Sequence, residues 1–143
     1  EIVARGHSPK KEAWRIGVNK PVDDSLSMNQ ELQTILQLTD VGMATSGNYR
    51  NFYYKEGKKY AHTINPKTGY PVQHNLLSTT VVAKDCMTAD ALATAFMVMG
   101  LEKAEAFANA HPEIEAYFIY SDEKGNFQNY FTKGMKKYIA EKQ

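Results

Sequence analysis

Asp90 and Thr94 lie four residues apart within Ala89-Asp90-Ala91-Leu92-Ala93-Thr94-Ala95. Apolar residues recur there at helical spacing, so the two side chains share one helix face. A carboxylate and a hydroxyl over an alanine-lined surface suit a hard cation such as Mg²⁺, which takes oxygen ligands and keeps positions open for phosphate oxygens. Upstream, Thr45-Ser46-Gly47-Asn48-Tyr49 reads as a Ser-Gly turn offering a hydroxyl and backbone N–H groups to phosphate. His62 and Ile64 fall on one face of an expected strand. That strand runs into Asn65-Pro66-Lys67-Thr68-Gly69-Tyr70-Pro71, a loop stiffened by two prolines and a glycine. A histidine beside a rigid loop suits acid–base chemistry.

Each feature alone also has a plainer reading. Asp90 in the first turn of a helix would complement the helix dipole, and Thr94 would be exposed or bonded back to its own helix. Ser46-Gly47 would be an ordinary turn, and His62 a structural histidine. His7, His74 and His111 have no partners at metal-ligand spacing and receive no role. Residue types alone leave these alternatives open.

The positioning elements follow from periodicity. Short strands are expected at Ile2–Gly6, 13–19 and Leu32–Leu38, the last leading into a polar turn. The aromatic runs 51–55 and 59–64 flank Glu56-Gly57-Lys58 as a hairpin. Leu76–Ala83 is rich in Thr and Val and reads as a strand. From Met87 to Met99 the period turns helical and Gly100 ends it. A second helix is expected over Glu102–Ala110, then a hairpin of Glu115–Tyr120 and Phe127–Phe131, and a short amphipathic helix after Lys133. Several strands, two helices and a hairpin make an α+β domain, with both helices on one face of a mostly antiparallel sheet.

Composition narrows the classes. The 143 residues fit one core. A net charge of +1, with Lys58-Lys59 and Lys136-Lys137 as isolated pairs outside any nucleic-acid motif, gives no reason to expect a nucleic-acid partner. Cys86 is the single cysteine, which rules out an internal disulfide and a four-cysteine zinc site; it reads as a small buried apolar residue. No apolar run is long enough to span a bilayer. The start at Glu1-Ile2-Val3-Ala4, without Met and already strand-like, reads as a fragment or processed chain with any targeting segment upstream.

Three motifs in this order resemble the ApbE-type flavin transferases: Ser46-Gly47-Asn48-Tyr49-Arg50, His62 through Pro71, and Ala89 through Ala95. The opening strand, then Trp14-Arg15-Ile16-Gly17-Val18 and Pro21, is similar to the start of that family's second half. One departure is Asn65, where the family usually carries Asp; Asn keeps the turn-forming side chain and loses the charge. The resemblance implies that residues 1–143 are the C-terminal part of a single flavin transferase domain, a T-fold-like half whose N-terminal half is absent. It implies Mg²⁺-dependent transfer of FMN from FAD onto a Thr or Ser hydroxyl of a target flavoprotein, with AMP leaving. Asp90 and Thr94 would hold the metal, Ser46 and Gly47 would line the FAD site, and Ile64 would pack on the cofactor. His62 would serve as base or phosphate contact. The missing half would supply much of the FAD pocket and a backbone carbonyl to the metal. By kinship the full-length protein would sit on the periplasmic side of a bacterial membrane, held by an upstream lipid anchor. The alternatives are an FAD pyrophosphatase giving FMN and AMP, and a flavin-binding protein without turnover.

Overall fold

The computed structural model describes residues 1–21, 32–48 and 63–140, with backbone alone for 52–55 and 58–61. Its strands are β1 (Ile2–Ala4), β2 (Trp14–Asn19), β3 (Leu32–Leu38), β4 (Val41–Gly47), β5 (Phe52–Lys55), β6 (Lys58–Ala61), β7 (Leu76–Ala83), β8 (Glu115–Ser121) and β9 (Phe127–Phe131). Helices α1 (Cys86–Met99) and α2 (Leu101–Ala110) fall between β7 and β8, and a 3-10 turn (Lys133–Lys137) follows β9. The main sheet runs β1-β4-β7-β8-β9, antiparallel at each pairing. Hairpins β2–β3 and β5–β6 stand as separate two-stranded sheets.

The α+β expectation holds, and both helices pack on one face. The other face is covered too, by β2–β3 and the 3-10 turn. Alternation along β8 shows how. Ala116 and Phe118 join Phe96 and Met97 of α1, while Tyr117 and Ile119 join Leu36, Leu38 and Met135. Successive strand side chains point to opposite faces, so the unbroken apolar run 116–119 marks a strand buried on both sides.

Strand β4 was not expected. Val41–Gly47 contains two glycines and few β-branched residues, so its intrinsic strand signal is weak. It is nevertheless central, between β1 and β7. Its small residues are what the position needs. A Cβ added at Gly42 would overlap the backbone of Asp85 and Cys86, where α1 begins. Ala89 and Ala93, both fully buried, form the facing side of the helix. The approach is close enough for Thr79 Oγ1 of β7 to donate to the Ala93 carbonyl at 2.8 Å. Cys86, at the first helical position, is half-buried rather than buried, with Sγ 3.8 Å from the Met43 carbonyl.

Asp85 caps α1. Its carboxylate accepts from the Thr88 N–H at 2.8 Å and the Thr88 hydroxyl at 2.9 Å. These bonds, the backbone one first, hold its pKa below the ordinary 3.8. A lowered folded pKa means stability that is present above the unfolded value and lost as pH falls through the folded one. Acid unfolding monitored by circular dichroism should therefore be shallower for Asp85→Asn than for the parent chain as pH falls through and below the ordinary Asp range. Identical acid limbs would show that the cap contributes nothing to acid sensitivity.

Gly100 closes α1 at φ +78°, a conformation that favours glycine, with its N–H on the Phe96 carbonyl at 3.0 Å. His74, given no role from spacing, has one here. Its Nε2 lies 2.7 Å from the Met97 carbonyl. Since a carbonyl only accepts, that nitrogen carries the proton, and His74 satisfies a terminal carbonyl of the helix.

Candidate functional site

The C-terminal end of β4 and one face of α1 form the first part of the site. Thr45 and Ser46 point to opposite faces of the sheet. Thr45 Oγ1 meets Thr80 Oγ1 at 2.8 Å away from α1, and Ser46 Oγ meets Thr94 Oγ1 of α1 at 3.2 Å. The latter is long for a hydroxyl pair, so both oxygens keep lone pairs for another partner. Asp90, half-buried, sits one turn before Thr94 on the same helix. The first turn of α1 contains no acidic residue, because the helix starts at Cys86. Asp90 is beyond the reach of the dipole end, which falls off within the first turn, so its plainer reading is removed. Thr94 is exposed, as its plainer reading has it, and its hydroxyl also meets Ser46.

Ser46 and Gly47 do not form the expected turn. They lie within β4, opposite Thr79 and Ser78 of β7, and the ladder continues through the Asn48 N–H to the Leu77 carbonyl at 3.0 Å. Extended backbone does not make the concave row of amides that cradles an anion. What this stretch offers a ligand is therefore the Ser46 hydroxyl.

The second part is the loop after β6, rigid as expected. The Val72 N–H donates to the Thr63 carbonyl at 3.0 Å, Ile64 and Pro71 form a bridge, and the Asn65 N–H donates to the Tyr70 carbonyl at 2.9 Å. Asn65 Oδ1 accepts from the Lys67 N–H at 2.9 Å, and its carbonyl accepts from Gly69 at 2.8 Å. The turn thus uses the side-chain oxygen that Asn shares with Asp and does not require the charge. Ile64 is 47% exposed, an apolar side chain held open on a stiff support. It stands in the isolated bridge rather than in β6, which ends at Ala61. His62 lies outside the described residues.

Two hydrogen bonds join the motifs. Ser46–Thr94 links the first to the third across 48 positions. Thr63 Oγ1 donates to Asn48 Oδ1 at 2.6 Å, linking the first to the second. Nothing in the sequence signalled that Asn48 and Thr63 meet; each lies within a motif, and only their contact in space marks them.

The expected metal ligands Asp90 and Thr94, and the neighbouring Ser46 hydroxyl, present oxygen atoms only. Such a set fits a hard cation and not zinc. Among the described residues no three His, Cys, Asp or Glu side chains gather as a metal cage.

An antiparallel sheet with a helix hairpin on one face, and a carboxylate and two hydroxyls at the β4–α1 contact, define an α+β protein. The ApbE family profile matches residues 1–118, and the chain belongs to that family. It is 39% identical over 140 residues to the FAD:protein FMN transferase of Vibrio cholerae, covering 98% of this chain and 40% of that protein. To the Haemophilus influenzae protein of the same name it is 38% identical over 125 residues, covering 87% and 35%. The solved flavin transferase ApbE from Vibrio cholerae superposes with a TM-score of 0.73 at 38% identity, covering 93% of this chain and 40% of that one. The chain thus spans about two fifths of the length of these relatives.

Proposed function

We propose that this chain is the metal-side part of an FAD:protein FMN transferase, which moves FMN from FAD onto a Thr or Ser hydroxyl of a target flavoprotein and releases AMP. One observation carries the reading. The Ser46–Thr94 contact brings the first motif onto the helix that carries the third, one turn from Asp90.

In this reading Asp90 and Thr94 hold Mg²⁺, and Ser46 presents its hydroxyl to the adjoining phosphate path, with Gly47 beside it leaving room. Mg²⁺ bound there would neutralise charge on the pyrophosphate, the main need of phosphoryl transfer. Ile64 packs on the flavin portion, its rigid loop lowering the ordering cost of binding. The acceptor hydroxyl oxygen forms a bond to the FMN-side phosphorus as the bond from that phosphorus to the AMP oxygen breaks. His62 takes the hydroxyl proton or contacts the phosphate. The rest of the FAD pocket, and a carbonyl to the metal, come from the remainder of the full-length protein. A periplasmic location with a lipid anchor accompanies this reading, and membrane fractionation of the full-length protein tests it.

The test is to incubate the full-length protein with FAD, Mg²⁺ and an acceptor flavoprotein, then weigh the acceptor by mass spectrometry. A gain of one FMN phosphoester with release of AMP is expected. Free FMN and AMP with an unmodified acceptor would replace the proposal with a pyrophosphatase. Intact FAD across several acceptors would replace it with a flavin-binding protein.

A further inference from the structure

We infer that Asn48 is a positioning residue that sets the height of the 63–72 loop over the β4–α1 face, acting through the Thr63 hydroxyl. Asn48 is nine-tenths buried, and its backbone N–H extends the β4–β7 ladder to the Leu77 carbonyl. Its side chain is therefore anchored to the sheet two residues beyond Ser46. Its Oδ1 accepts from Thr63 Oγ1 at 2.6 Å, at the short end of hydroxyl hydrogen bonds.

Thr63 is the neck of the loop. Its carbonyl accepts from the Val72 N–H at 3.0 Å, and the Ile64–Pro71 bridge lies just inside. One residue thus closes the loop with its backbone and ties it to the sheet with its side chain. At the exit, Asn75 Nδ2 donates to the Ser121 carbonyl at 2.8 Å, and His74 Nε2 donates to the Met97 carbonyl at 2.7 Å. Being closed on itself and held at its exit, the loop survives loss of the entry bond as a folded unit. What that loss frees is its tilt, and with it the distance from Ile64 to the Ser46–Thr94 contact.

The inference rests on the flavin reading of the site and predicts a specific kinetic pattern. In the full-length protein, Thr63→Val keeps the shape and deletes the donor, and Asn48→Ala deletes the acceptor. Each should raise the KM for FAD about tenfold, the worth of one good hydrogen bond, with kcat within about twofold. The double variant should be no worse than either single one, since both delete the same bond. Thr63→Ser, which keeps the hydroxyl, should restore the parent KM.

FAD affinity, read by quenching of flavin fluorescence, keeps the two ideas separable. Full-length protein that binds FAD but modifies no acceptor would remove the transferase reading, and the same tenfold pattern in affinity would still support Asn48. Parent-like KM and affinity in the variants, even with a lowered melting temperature, would overturn the positioning role and leave a structural bond. Additive losses in the double variant would also overturn it, as would a fall in kcat with unchanged KM. Full-length protein that binds no FAD would overturn both.

Discussion

Replacing Asp90 with alanine in the full-length protein is expected to reduce FMN labelling of an acceptor by about a thousandfold or more, since a metal supplies several kcal/mol of transition-state charge stabilisation. Asp90 is the one carboxylate of the proposed metal pair, and Thr94 contributes only a neutral hydroxyl. Without it, the Thr94 hydroxyl alone cannot hold a divalent cation against water. The substitution should leave the fold intact, because alanine is the better helix former and the residue is half-buried on an α-helix. Folding and function therefore separate: the melting temperature should hold while labelling disappears. Asp90→Asn should retain a trace of activity that rises with added Mg²⁺. Normal labelling by the alanine variant would remove the metal role of this face.

Gly42→Ala is the second large effect, and it acts through the frame. A Cβ at this position meets the backbone of Asp85 and Cys86, and backbone cannot swing aside as a side-chain tip can. Either β4 or the start of α1 has to shift. Overpacking of this kind costs about 1–3 kcal/mol and occasionally more, a large share of the ~5–15 kcal/mol that holds a domain together. Strand β4 carries Ser46, and α1 carries Asp90 and Thr94, so the shift should also part the Ser46–Thr94 pair. Chemical denaturation should show the loss of stability, and labelling should fall even at temperatures where the variant remains folded. Parent-like stability would mean that the two elements do not need this approach.

Gly42 also shows where sequence reasoning reached its limit. The Thr- and Val-rich composition of Leu76–Ala83 and the helical period of Met87–Met99 were legible because each is a local property of its own segment. Strand β4 was not, because its residues are chosen for smallness against α1 rather than for strand propensity. Reading Ser46-Gly47 as a turn followed from the same gap, since a Ser-Gly pair has turn chemistry unless its neighbours on both sides belong to a ladder. His74 was passed over for a related reason. Its partner is a backbone carbonyl at the end of α1, and no side-chain spacing announces such a bond.

By itself the sequence determined the α+β class, the helix face shared by Asp90 and Thr94, and the rigid loop closed by Asn65 and Gly69. Each depends on residues within a few positions of one another, where backbone geometry alone sets who meets whom. Its three motifs also carried the family resemblance. Only the tertiary structure decided that Ser46 faces Thr94 rather than the opposite layer, that Asn48 reaches Thr63, and that the sheet is buried on both faces. Those contacts join residues 15 to 48 positions apart. They depend on which strands pair and in what register, and a register change of one residue would turn Ser46 away from α1 and Thr45 toward it.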